Sequence, residues 1–209
     1  MPHKSPPIEL WEQDERYQRL REEVGGRTRV DPLSFFMLYQ FAHQALALPG
    51  EVAEVGVYRG GSARMLARIF SARNKPIHLF DTFTGMPPVD ANRDGFREGA
   101  FSDTSAQEVR DYLSDFPQVR LHPGLFPDTS GPVVDSRFCF VHVDADIYTS
   151  VRDCCAFFYE RLVPGGVLLF DDYGIPKCAG AKMAVDEFFA SRPEHPCYFS
   201  TGQSLVIKQ

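Results

Sequence analysis

At 209 residues the chain can build one sizeable α/β domain with a proper core, and little remains for a second. Its formal net charge of −6, without a long basic run, excludes a non-specific nucleic-acid surface, which needs clustered Lys and Arg. No apolar run approaches the roughly 18 residues of a membrane span, and Met1–Glu9 has neither the apolar core nor the cleavage site of a signal peptide, so a cytoplasmic protein acting on small molecules is expected.

Ile8–Glu23 is strongly charged with a thin apolar stripe and reads as a helix that Gly25-Gly26 stops. Asp31-Pro32 opens a second helix, running to about Leu48, where Pro49-Gly50 breaks it. Residues 1–48 thus form an N-terminal helical extension that covers a sheet face, serves as a lid, or makes a homodimer contact. Residues 49–209 form the main domain. There the short runs Val52–Val57, Ile77–Asp81, Val119–His122, Phe138–Asp144 and Gly166–Asp172 are rich in Val, Ile, Leu and Phe without polar alternation, as buried parallel strands are. Between them Ser62–Arg73, Ser105–Phe116, Thr149–Leu162 and Gly180–Ser191 carry apolar residues at helical spacing. Strand and helix in alternation predict a Rossmann-like, doubly wound α/β sheet. Cys197–Ser200 and Ser204–Lys208, joined through Thr201-Gly202-Gln203, close it with an antiparallel hairpin, giving seven strands, mostly parallel. The five cysteines (Cys139, Cys154, Cys155, Cys178, Cys197) are odd in number, form no CxxC pair and read as reduced, buried thiols.

The first strand–helix junction is Glu54–Ser62, a glycine-rich turn at the end of a sheet where ligands bind, and Asp81 ends the next strand, placed to accept hydrogen bonds from the hydroxyls of a ribose. The glycines alone also fit a plain tight turn, with Asp81 capping a strand. Their spacing is G-x-x-x-G-G rather than G-x-G-x-x-G, and no Walker A loop is present, which leaves S-adenosylmethionine as the remaining common nucleoside cofactor. Arg59 in this turn either reaches the donor's carboxylate or forms a surface salt bridge. The Gly124–Phe126 turn either packs against adenine or is only a turn.

Strand four ends in Asp144-Ala145-Asp146 and strand five in Asp171-Asp172, so four carboxylates gather on neighbouring strand ends. Like charges held together need a cation or a proton, and oxygen-only ligands favour a hard ion such as Mg²⁺. The plainer alternative is that some of these aspartates cap the helices at Thr149 and Pro176. His142, two residues before the strand end, reads as a hydrogen-bonded core histidine rather than a base. Phe101–Ser105 reads as a helix N-cap.

Glu54–Ser62 (EVGVYRGGS), Leu79–Pro87 (LFDTFTGMP), Phe140–Ser150 (FVHVDADIYTS) and Pro164–Gly174 (PGGVLLFDDYG) together resemble the macrocin O-methyltransferase (TylF/MycF) family, in the same order, from about Asp31 onward. The resemblance implies a class I methyltransferase fold and an S-adenosylmethionine- and Mg²⁺-dependent O-methyltransferase acting on sugar hydroxyls of small natural products. It implies Asp144, Asp171 and Asp172 as metal ligands, Asp146 as general base, and Asp144 as catalytic through the metal. It also implies a donor site around Glu54, Gly56, Ser62 and Asp81, to which the turns add Tyr58, Arg59, Gly60, Thr82, Gly124, Phe126 and Asp144. The chain is shorter than family members at its N-terminus and around Val89–Ala100, where the family builds part of its substrate cover. A catechol-type enzyme, a methyltransferase working without metal or on nitrogen, and a catalytically silent nucleotide-binding module are the alternatives.

Overall fold

Seven strands form one sheet in the order β3-β2-β1-β4-β5-β7-β6: β1 (Glu51–Val55), β2 (Ile77–Asp81), β3 (Val119–Pro123), β4 (Phe138–Val143), β5 (Leu162–Phe170), β6 (Cys197–Tyr198) and β7 (Ser204–Ile207). The computed structural model describes residues 9–209; the expected helix start at Ile8, and all of the Met1–Glu9 segment except Glu9, lie outside the described residues. The first five strands pair in parallel, β7 runs antiparallel to β5, and β6 pairs antiparallel with β7, as the apolar runs and the final hairpin predict. Every residue of β4 is buried, which is why its sequence shows no polar alternation. β3 departs from the expected buried strand: it lies at the sheet edge and is half-exposed.

Helices α4 (Gly61–Phe70) and α3 (Pro32–Ala45) cover one face of the sheet, where Phe35, Leu38, Leu66 and Phe70 pack with Val52, Phe140 and Leu169. Helices α6 (Tyr148–Phe158) and α7 (Ala179–Phe189) cover the other, where Phe158 and Val185 meet Val55, Phe80, Val141 and Leu168. Helix α5 (Ala106–Tyr112) precedes β3, and the Ser105 hydroxyl caps it by accepting from the Glu108 N–H, as the Phe101–Ser105 segment predicts.

The single helix expected over Ile8–Glu23 is two, α1 (Leu10–Gln13) and α2 (Glu15–Val24). Asp14 between them is non-helical, and its carboxylate accepts from the N–H groups of Arg16 and Tyr17 at 3.0 Å each. One residue therefore stops one helix and caps the next, a break that apolar periodicity passes over. Asp31 caps α3 in the same way, through Leu33 and Ser34, with Pro32 at the first position. Four cysteines are buried, while Cys197 is exposed because β6 is the outermost strand. No helix among the described residues is long and apolar enough to cross a membrane.

Strand order reverses between β1 and β4, and the crevice beyond the carboxyl ends of such strands is where an open α/β sheet binds ligands.

Candidate functional site

A cavity of about 340 Å³ opens at that crevice, of the size that small-molecule sites have. Its floor is made by the first residues past the strands. Asp144 and Asp171 still complete the ladder, their N–H groups donating to Val55 and Val143 carbonyls at 2.9 Å each, so the strands deliver these carboxylates to one edge in fixed register.

Asp144, Asp171 and Asp172 each place a carboxylate oxygen within 4.8 Å of the others'. None of the four aspartates caps a helix. The cap of α6 comes from Asp94, whose Oδ1 accepts the Tyr148 N–H at 2.9 Å. Burial first, and then the charges of Asp171 and Asp172, hold the Asp144 carboxyl well above its ordinary range; burial and Asp171 push Asp172 up to about 7. Three oxygen donors converging on one point suit a hard divalent ion, so these residues fit the metal implied by the resemblance.

Asp146 sits beside the cluster in left-handed backbone (φ +59°), donates its N–H to Asp172 Oδ2 at 2.9 Å, and faces the Cys178 thiol at 3.6 Å. Burial, then Asp172, raises its carboxyl well above the ordinary value. Cys178, buried, lies 3.6 Å from Asp172 as well.

Of the residues read as lining the donor, the structure brings Gly56, Tyr58, Asp81, Thr82, Gly124, Phe126 and Asp144 to the cavity. Gly56 has φ +89°, and a Cβ there would stand 1.7 Å from the Asp144 carbonyl oxygen, so the turn passes directly over the end of β4. Asp81 organises that turn: Oδ2 accepts from Val57 and Tyr58 N–H at 2.7 and 2.9 Å, and Oδ1 from Phe83 N–H at 2.7 Å. The Thr82 hydroxyl stands 3.5 Å from Oδ1 but donates at 2.7 Å to the Gly85 carbonyl, so of the carboxylate's roughly four lone-pair sites one remains for a ligand hydroxyl. Phe126 is mostly core, stacked on Phe158 at 5.2 Å.

Glu54, Arg59, Gly60 and Ser62 do not line the cavity. Glu54 is fully buried against His142, with Oε1 2.8 Å from Nδ1, and His142 Nε2 lies 3.6 Å from Asp171 Oδ1. Burial lowers the His142 pKa, but Asp171 and Glu54 outweigh it and hold the imidazole well above its usual range. Arg59 takes the salt-bridge option, pairing with Asp103 at 2.6 Å. Gly60 supplies the left-handed residue (φ +82°) before α4, and Ser62 is buried in that helix's first turn.

For the rest of the wall the sequence pointed to segments, the N-terminal extension and Val89–Ala100, without naming residues. Arg29, Val30, Asp31 and Ser34 reach the cavity from the N-terminal extension, and Met86, Phe96 and Phe101 from the aperiodic segment after β2. That segment is pinned by the Gly95 N–H donating to the Lys177 carbonyl at 2.8 Å, a contact between residues far apart in sequence.

Comparison with known proteins matches residues 18–194 to the family described as Macrocin-O-methyltransferase (TylF). The chain is 34% identical over 150 residues to the mycinamicin III 3''-O-methyltransferase of Micromonospora griseorubida, covering 64% of this chain and 59% of that protein. It is 30% identical over 171 residues to the 8-demethyl-8-(2,3-dimethoxy-alpha-L-rhamnosyl)-tetracenomycin-C 4'-O-methyltransferase of Streptomyces olivaceus, covering 75% and 64%. The chain thus spans less than two thirds of the length of these relatives. Among solved structures it superposes on the O-methyltransferase NovP with TM-score 0.74 and 25% identity, covering 92% of this chain and 88% of that one.

Proposed function

The chain belongs to the macrocin O-methyltransferase family, and from that premise we propose that it transfers a methyl group from S-adenosylmethionine to a hydroxyl of a glycosylated small molecule, with Mg²⁺ held by Asp144, Asp171 and Asp172. The observation that carries this reading is the convergence of those three carboxylates at one end of a cavity whose other end is the Gly56 turn with Asp81. A sugar-bearing acceptor follows the relatives' names, which give O-methylation and, in one case, a rhamnosyl-carrying substrate.

Asp81 would accept from the ribose, the Gly124–Phe126 turn would flank the adenine, and the backbone from Gly56 to Tyr58 would pass along the methionyl tail. Mg²⁺, when bound, would supply Lewis acidity and a template for two acceptor oxygens. Asp146, beside the cluster with its N–H on Asp172 Oδ2, would receive the hydroxyl proton; burial and then Asp172 raise its carboxyl above the ordinary value, and a general base contributes about 10²–10⁴-fold. The walls of Tyr58, Phe96 and Phe101 exclude water and orient an apolar acceptor. This aromatic lining also favours, as a second acceptor class, a planar phenol.

Residues 9–48 act in this reading as a cover, since Arg29, Val30, Asp31 and Ser34 already form one wall; a homodimer contact is their other use. The enzyme works in the cytoplasm, on small molecules rather than nucleic acid or membrane.

The test is a screen of acceptors with purified protein, donor and Mg²⁺, read as the mass gain of one methyl group. Chelator should abolish turnover and Mg²⁺ restore it, and Asp144→Asn should lose most activity while calorimetry still finds donor binding. Full activity in chelator would remove the metal from the reading.

A further inference from the structure

Gln203 is fully buried between β6 and β7, an expensive place for an amide unless every polar atom has a partner. Its partners are specific. Nε2 donates to Asp171 Oδ1 at 2.7 Å and to the Ser34 carbonyl of α3 at 3.1 Å, while Oε1 accepts from the Thr201 hydroxyl at 3.2 Å. The two acceptors fix which end of the amide is which: a flip would set Oε1 against a carboxylate and a carbonyl, with no donor between them.

Asp171 Oδ1 is thus held by Gln203 on one side, with His142 Nε2 at 3.6 Å on the other. Among the described residues no hydrogen bond reaches Oδ2. We infer that Gln203 is a positioning residue that locks the Asp171 carboxylate so that one oxygen is spent on the protein and the other is left for the ion, and that it ties this orientation to helix α3 through the Ser34 carbonyl. The inference rests on the metal reading above. Packing alone would be served by a leucine, and the amide of Gln203 has no solvent to satisfy it. Groups that orient a ligand from behind are commonly worth about 10–100-fold in metal affinity.

The experiment measures Mn²⁺ binding to the full chain by the electron paramagnetic resonance signal of the free ion, for wild type, Gln203→Leu and Thr201→Val, beside thermal melting and calorimetric binding of S-adenosylhomocysteine. Gln203→Leu should weaken Mn²⁺ binding about 10–100-fold with S-adenosylhomocysteine binding unchanged, and Thr201→Val should weaken it less, because the amide keeps both acceptors and loses only the hydroxyl that braces Oε1. In turnover assays the metal concentration for half-maximal rate should rise in parallel, with kcat at saturating metal nearly retained. If Gln203→Leu does not fold, Thr201→Val carries the test. Variants that bind Mn²⁺ like wild type overturn the inference alone; a wild type that binds no Mn²⁺ overturns the metal reading and this inference with it.

Discussion

Glu54 is the residue whose assignment the structure shifts most, and its replacement gives a clean measurement. In the sequence it sits two residues before the glycine turn and reads as a donor contact. In the fold it is fully buried and bonded at 2.8 Å to His142, its direct partner in the β1–β4 register. With Glu54→Leu, the charged imidazole would face only Asp171, at 3.6 Å. Removing one partner of a buried pair costs about 3–5 kcal/mol, because it strands the other charge. At about 2–4 °C per kcal/mol for a chain of this size, Tm should fall by roughly 6–20 °C. The double variant Glu54→Leu/His142→Leu should be more stable than Glu54→Leu, since replacing a whole buried pair by packed apolar groups is often neutral. Calorimetric melting with urea titration measures all three. A Glu54→Leu protein that melts like wild type but no longer binds the methyl donor would refute the reasoning and return Glu54 to the donor site.

Gly56→Ala should be among the most damaging single changes, above about 4 kcal/mol, because the new Cβ meets the Asp144 carbonyl at 1.7 Å; Gly99→Ala, at φ +76° with open space around it, is the control and should cost about 1–2 kcal/mol, both read by chemical denaturation. Asp94→Ala removes the cap of α6 and should cost about 1 kcal/mol, seen as a Tm loss of a few degrees with the cluster carboxylates untouched. Burial would raise the Glu194 pKa, but hydrogen bonds from Tyr159, the Gln209 N–H and Lys208 outweigh it and hold the carboxyl down at about 2. A depressed carboxylate stabilises the fold above its unfolded pKa, about 4.3, and that share is lost as pH falls toward 2. Glu194→Gln should therefore lower stability at neutral pH, with the gap to wild type closing between those limits; a gap independent of pH in denaturant melts would contradict the assignment.

What was legible in the sequence followed from short-range rules. The five parallel strands announced themselves as apolar runs, and the acidic residues closing two of them had to meet once those strands were neighbours. Even the Glu54–His142 pair had a signal: each lies two residues before the landmark that ends its strand, Gly56 and Asp144, so parallel pairing sets them side by side. What was missed depends on tertiary contacts that no period encodes. Asp14 interrupts a helix without interrupting its apolar stripe. Asp94 caps a helix that begins 54 residues later. Gln203 reads as a turn residue, and nothing in its neighbourhood points to Asp171, 32 residues earlier.

The division between the two sets follows the division of labour in the cavity. Residues at strand ends, Gly56, Asp81, Asp144 and Asp171, are held by the hydrogen-bond ladder of the sheet, and Asp172 follows Asp171 directly, so their mutual geometry survives changes elsewhere. Arg29, Met86, Phe96 and Phe101 are held by loop contacts such as the Gly95–Lys177 hydrogen bond, which a few substitutions can move. In the proposed reading the chemistry of transfer rests on the first set and the choice of acceptor on the second. Exchanging Phe96 and Phe101 for alanine should accordingly change which acceptors are methylated while leaving Mn²⁺ and donor binding intact; loss of donor binding in those variants would place the aromatic wall in the transfer machinery instead.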